Sequence, residues 1–94
     1  MTATDLESTT FEELIAEFDT PWVIKILDDK NTMDYVVAVF MKHFKLEYEV
    51  AEAKMWEVHR QGVSTLDSGT EEEMLIHHEA MRAYGLRSSV EKAT

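Results

Sequence analysis

The chain of 94 residues has no cysteine, one proline and three glycines, and each scarcity excludes a class of site or structure. Without cysteine there can be no disulfide, no sulfur-ligated zinc and no thiol nucleophile, which fits a reducing compartment. The glycines are scattered, so no glycine-rich loop can cradle a phosphate. No apolar run approaches the roughly 20 residues that span a bilayer, and the first residues lack the basic-then-apolar pattern of a signal peptide. We therefore expect neither a membrane partner nor a secretory leader.

Basic residues are also scarce, because 9 Lys and Arg stand against 19 Asp and Glu, a formal net charge of -10. Such a field repels a phosphate backbone and argues against a nucleic-acid partner. Cations, amines and basic protein surfaces are better matched to it. The composition is 45% hydrophobic, which is enough for a small core in a single domain.

Hydrophobic periodicity predicts the element order β-α-α-β-α-β. The first strand alternates from Trp22 to Leu27, and the first helix carries apolar residues at helical spacing from Met33 to Phe44, capped by Asn31 or Thr32. The remaining elements are predicted at 48–61, 63–66, 71–84 and 86–91, with "DSG" as a turn and glycines ending both later helices. The fold class is α+β: a small two-layer domain in which a three-stranded antiparallel sheet carries three helices on one face.

Residues 1–20 are predicted to be an acidic N-terminal extension ahead of a core domain of residues 21–94. The extension has six acidic residues and no basic one. Phe11, Leu14, Ile15 and Phe18 share one stripe of a short helix in it. The segment closes at Pro21, since the residue before a proline is disfavoured in helix. Two hypotheses remain for this extension: it docks on its own domain or frays, or it engages a partner.

Two adjacent carboxylates, Asp28 and Asp29, follow directly on the apolar strand. They are explained equally by turn chemistry near a helix N-terminus and by a site that needs negative charge. Neither D-x-D-x-D nor H-E-x-x-H occurs, and no serine sits in a nucleophile elbow. We therefore predict a protein that is not an enzyme and that has no cofactor and no metal.

The four histidines differ in their surroundings. His59 lies one turn after Met55 on a mostly apolar helix face, which fits either a satisfied core residue or a functional one. His77 and His78 are consecutive and point about 100° apart on a helix, so they are poorly placed to share a metal ion. His43 is predicted to be solvated.

Three segments taken together resemble the ClpS adaptor family of bacteria and plastids. They are "WVIKILDDKNTMDYVV", "AKMWEVHRQG" and "GLRSSVEK", which occur in family order and spacing over roughly residues 21–92. The resemblance implies an N-end rule adaptor that binds substrate proteins beginning with Leu, Phe, Tyr or Trp. It further implies delivery to the N-terminal domain of a ClpA- or ClpC-type AAA+ unfoldase working with the ClpP peptidase, in a bacterial cytoplasm or a plastid stroma.

The resemblance also implies roles for individual residues. Asp28 and His59 would hold the substrate α-amino group, with Asp29 and Asn31 beside them. The pocket for the first side chain would be lined by Met33, Val36, Ala38, Met55, Val58 and Leu86, with Met33 excluding β-branched side chains. On the third helix, Glu72 and His77 would contact the unfoldase.

The chemistry of these residue types agrees with those roles. An α-amino group is mostly an ammonium at neutral pH, and a carboxylate with a neutral imidazole offers it two acceptors. Methionine adapts to side chains of different shape.

The sequence departs from the family pattern at three places. Leu27 stands where the family has asparagine, which removes one amide from the amine site. Asn31-Thr32 replaces a threonine-proline, and His77 replaces a lysine. These departures favour a variant with a shifted ligand preference.

Two other hypotheses compete with the adaptor. One is a small α/β interaction module that modulates the unfoldase without recognising free N-termini, which Leu27 favours. The other is a metal-assisted hydrolase using Asp28, Asp29 and His59.

Overall fold

A computed structural model describes residues 20–93, which form three strands and three helices in the predicted order. The elements are β1 (Trp22–Leu27), α1 (Met33–Phe44), α2 (Tyr48–Gln61), β2 (Val63–Gly69), α3 (Glu71–Tyr84) and β3 (Ser88–Lys92). The helix predicted around Phe11 to Phe18 lies outside the described residues. Among the helices of residues 20–93, none combines the length and the hydropathy that crossing a bilayer requires.

The three strands form one antiparallel sheet in the order β2-β1-β3, so the most apolar strand is central. β2 is longer than predicted because "DSG" continues the ladder, with Trp22 opposite Gly69, instead of turning the chain. A register shift between Ile24 and Lys25 accommodates the seventh residue of β2. β3 begins two residues later than predicted.

The core lies between the sheet and the helices. Ile24 and Ile26 point into it from β1 and are fully buried, whereas Val23 and Lys25 on the other face are only partly buried. α3 packs against all three strands, α2 packs against β2, and α1 packs against α2. The helices contribute mainly Phe40, Ala51, Met55, Met74 and Met81 to this core. The predicted two-layer α+β architecture is therefore confirmed.

The helix ends set the positions of the connecting segments. Thr32, rather than Asn31, caps α1, since its hydroxyl accepts from the Tyr35 backbone N–H at 3.3 Å. Gly62 ends α2 with φ +86°, a conformation that glycine adopts without strain. Its carbonyl accepts from the Asp28 N–H at 3.0 Å. This bond ties the end of α2 to the turn after β1, and so brings His59 close to the two aspartates.

Candidate functional site

A cavity of about 330 Å³ opens where the end of β1, the start of α1, the second half of α2 and the residue after Gly85 meet. Its lining residues are Leu27, Asp28, Asp29, Lys30, Asn31, Thr32, Met33, Val36, Met55, Val58, His59 and Leu86. The structure thus brings together every residue assigned to amine and side-chain recognition except Ala38. Three segments far apart in the sequence, 27–36, 55–59 and Leu86, contribute to one hollow.

Ala38 does not line the cavity and is exposed on α1. It follows Val36 by two residues, which places it about 200° away around the helix. Because Val36 faces the cavity, Ala38 faces away from it. Its assignment to the pocket does not fit this geometry.

The apolar wall is held in place by hydrogen bonds between α1 and the end of α3. The Asn31 side-chain amide donates to the Gly85 carbonyl at 3.1 Å, and the Tyr35 hydroxyl donates to the Tyr84 carbonyl at 2.6 Å. The Leu86 N–H donates to Met81 at 2.8 Å. These bonds satisfy carbonyls that the helix end leaves open, and they fix Leu86 opposite Met33 and Val36.

The cavity is apolar at its base and polar at its mouth. Met55, Val58 and Leu86 are 5–6% exposed and belong to the core, so they form a rigid base. Met33 is 38% exposed, which places it at the entrance. Methionine in that place can move aside for side chains of different shape.

The polar mouth holds acceptors that other side chains do not use. Within residues 20–93 the Asp28 carboxylate makes no hydrogen bond or ion pair, and the His59 ring makes a ring contact with Trp56 but no hydrogen bond. Asp29 differs, because its Oδ1 already accepts from the Lys30 N–H at 2.8 Å. Asp28 and His59 are therefore the groups most available to a ligand.

Three lining residues were not assigned to the pocket from the sequence, namely Leu27, Lys30 and Thr32. All lie in the continuous segment "LDDKNTM" between β1 and α1. Since neighbouring residues in this segment were assigned to the site, the whole segment could have been predicted to line the cavity. Leu27 supplies an apolar surface beside Asp28 where the family pattern has an amide.

His77 and Glu72, the residues assigned to unfoldase contact, lie on α3 and outside the cavity. Glu72 is exposed in the first turn. His77 is turned inward: its Nε2 lies 3.0 Å from Asp67 Oδ2 and its Nδ1 lies 2.7 Å from His43 Nε2.

The prediction that His43 is solvated is wrong, because its ring is partly buried against Phe44, His77 and Tyr84.

The histidine pair leads to a pH-dependent stability. Burial lowers the pKa of His43, and the neighbouring His77 and Lys45 lower it further. Because the pKa of His43 is lower in the folded state, the unfolded chain binds more protons than the folded one. The contribution of neutral His43 to stability is therefore complete above pH 6.5, its ordinary pKa, and is lost as the pH falls through the folded-state pKa. We expect the free energy of unfolding in urea to fall between pH 7 and pH 5, and to fall less steeply in His43→Gln. Equal slopes for the two proteins would contradict this origin.

Within residues 20–93, no three His, Asp or Glu side chains stand close enough together to hold a metal ion. Asp28, Asp29 and His59 share the cavity without forming such a group. The arrangement at its mouth is suited to binding a cation through hydrogen bonds.

Comparison with known proteins agrees with this geometry. The family model "ATP-dependent Clp protease adaptor protein ClpS" matches residues 19–89. The ATP-dependent Clp protease adapter protein ClpS of Streptomyces avermitilis is 38% identical over 84 residues, 86% of this chain and 80% of that protein. Its counterpart in Nocardia farcinica is 30% identical over 87 residues, 92% of this chain and 82% of that protein.

A solved structure shares the fold. The chain resembles Agrobacterium tumefaciens ClpS2 bound to L-phenylalaninamide with a TM-score of 0.66 at 16% identity, covering 79% of this chain and 98% of that one. The family model and the relatives define the class as a Clp protease adaptor. The chain belongs to the ClpS family.

Proposed function

We propose that this adaptor binds substrate proteins through a free N-terminus whose first residue is Leu, Phe, Tyr or Trp, and delivers them to a Clp AAA+ unfoldase for degradation by ClpP. The observation that carries the proposal is a single cavity with an apolar base and, at its mouth, the side chains of Asp28 and His59, which have no hydrogen-bond partner among residues 20–93. In this proposal, residues 21–94 are the binding core and residues 1–20 are an extension to it.

The amine half of the proposal follows from the donors and acceptors. An α-ammonium carries three N–H donors and a positive charge. Asp28 offers a charged acceptor, and His59 offers a ring nitrogen. The Asn31 amide donates its N–H to Gly85, which leaves its Oδ1 as a third acceptor for the ligand. Asn31 would thereby replace the amide that Leu27 removes.

The side-chain half follows from the shape and polarity of the base. A cavity of about 330 Å³ has room for one large side chain. Burying such a side chain contributes about 1.5–3 kcal/mol. L-phenylalaninamide, bound by the Agrobacterium relative, joins a free amine to an aromatic side chain, and a ligand of this kind suits the two halves of the cavity.

We propose that the unfoldase N-terminal domain, of the ClpA or ClpC type, contacts α3 in the vicinity of Glu72. His77 is held by Asp67 and His43, so we propose that it supports this surface from within. The bacterial relatives favour the bacterial cytoplasm over the plastid stroma as its compartment.

The test is a titration of three fluorescent peptides that differ only at the first residue: Phe, N-acetyl-Phe and Ala. We expect the Phe peptide to bind and each of the other two to bind at least about tenfold more weakly. Acetylation removes the charge of the amine, and alanine leaves the base of the cavity empty. Equal affinity for the acetylated peptide would exclude amine recognition. Equal affinity for the Ala peptide would exclude a side-chain pocket.

A further inference from the structure

A second groove lies beside the mouth of the cavity on the outer surface of α2. Its volume is about 360 Å³, and it is lined by Ala53, Trp56, Glu57, Arg60 and Gln61. The cavity is lined from the same helix by Met55, Val58 and His59. At 100° per residue, Met55, His59, Trp56 and Arg60 follow one another around the helix. The residues that line the cavity and those that line the groove are therefore neighbours around α2.

The side chains along this path touch each other. The ring centroids of His59 and Trp56 are 5.7 Å apart, at an interplanar angle of 75°. The Arg60 guanidinium carbon lies 4.8 Å from the Trp56 ring centroid on the far side of this path. Stacking on an indole holds an arginine in place while leaving its N–H donors free for other partners.

Arg60 has no carboxylate partner within residues 20–93, where its guanidinium stacks over the Trp56 ring. The nearest acid on the groove, Glu57, is already used, because it accepts from the Ser64 hydroxyl and lies 3.8 Å from the Lys54 ammonium. Arg87 and Lys30 likewise lack a carboxylate partner within residues 20–93, but Arg60 differs from them because its guanidinium stacks on an aromatic ring. It offers a fork of donors that matches a carboxylate.

We infer that Trp56 and Arg60 form a second subsite, which takes an acidic side chain of the substrate a short distance after its first residue. This inference rests on the proposed function, since a peptide anchored at Asp28 and His59 would leave the cavity beside Trp56. At about 3.5 Å per extended residue, the two ring distances together equal at most about three residues of that peptide. An Asp or Glu side chain covers part of this length, which brings the acidic residue to the second or third position. The substrate would be a chain with a bulky first residue and Asp or Glu at its second or third position.

The experiment compares Phe-first peptides that carry one Asp at the second, third or eighth position in an otherwise uncharged sequence. The eighth-position peptide has the same net charge, so it controls for long-range repulsion by the acidic protein. We expect Asp at the second or third position to bind about two- to fivefold more tightly than Asp at the eighth, the range of a solvent-exposed ion pair. The difference should shrink at high salt.

Four variants test whether the subsite causes this preference. Arg60→Gln should abolish it. Arg82→Gln, which removes an exposed positive charge on α3, should leave it intact. Trp56→Ala should weaken it by releasing Arg60, and Trp56→Phe should restore most of it.

The outcomes separate the two levels of the proposal. If all Phe peptides bind but none is preferred, or if both arginine variants reduce the preference equally, the subsite is overturned and the adaptor function stands. If no Phe peptide binds, the proposed function fails, and the subsite fails with it.

Discussion

Asp28→Asn is expected to lower the affinity for a Phe-first peptide about ten- to a hundredfold without changing the fold. The substitution keeps the size of the side chain and removes its charge. A hydrogen bond to a charged group contributes about 1.5–3 kcal/mol, and the bound peptide would shield this one from water. Asp28 is exposed and its carboxylate is unpaired in the described part of the chain, so the folded state has no side-chain hydrogen bond or ion pair there to lose. Fluorescence anisotropy at pH 7 measures the loss, and thermal unfolding checks the fold.

Asp34→Asn is the matched control for this variant. Asp34 is exposed in the first turn of α1, close to the cavity but not lining it, and its substitution changes the net charge equally. We expect its effect on affinity to be small. A similar loss in both variants would mean that the field of the whole protein attracts the amine, and that Asp28 has no special role. Asp29→Asn should lower the affinity by an amount between those of the other two variants, because one oxygen of that carboxylate already accepts from the Lys30 N–H.

The elements of this fold were predictable because each depends on residues close in sequence. Alternation defines β1, and spacing of three and four residues defines α1. The capping box of Thr70 and Glu73 and the left-handed Gly85 mark the ends of α3. The length of β2 was not predictable in this way. "DSG" is composed like a turn, and only its pairing with β1 across the sheet keeps it extended.

The membership of the cavity was predicted from motifs, whereas its internal contacts could not be. The Asn31 amide bonds Gly85, 54 residues away, and His43 meets His77 at a separation of 34. No periodicity reports contacts between such distant positions. His43 was expected to be solvated because it lies beside Lys42 on the outer part of α1, and two of the rings that cover it, His77 and Tyr84, come from α3. The assignment of Ala38 is the opposite case, since local information was sufficient to correct it. Helical geometry alone places Ala38 on a different side of α1 from Val36.

Leu86→Ala is expected to lower both the stability of the protein and its affinity for a Phe-first peptide, because one side chain serves the core and the cavity. Leu86 is 5% exposed, and truncating a buried leucine costs about 2–5 kcal/mol. Domains of this size are stable by only about 5–15 kcal/mol, so the loss is a large fraction of the total. The same truncation deepens the cavity, so the Phe side chain loses contacts. A Trp-first peptide should lose less, which would shift the preference toward Trp. Urea unfolding and peptide titration measure the two effects.

Leu75→Ala controls for the loss of a leucine from the same region of the fold. Leu75 lies on α3 and is 45% exposed, so its truncation should change the free energy of unfolding by only about 0.5 kcal/mol. If Leu86→Ala lost stability but bound Phe and Trp peptides with unchanged relative affinity, the first side chain would bind elsewhere. Ligand linkage gives an independent check, because a saturating peptide stabilises only the state that binds it. The Phe peptide should therefore raise the melting temperature of Leu86→Ala by less than it raises that of the wild type and of Leu75→Ala. Equal increases in melting temperature in all three proteins would mean that the bound peptide does not contact Leu86.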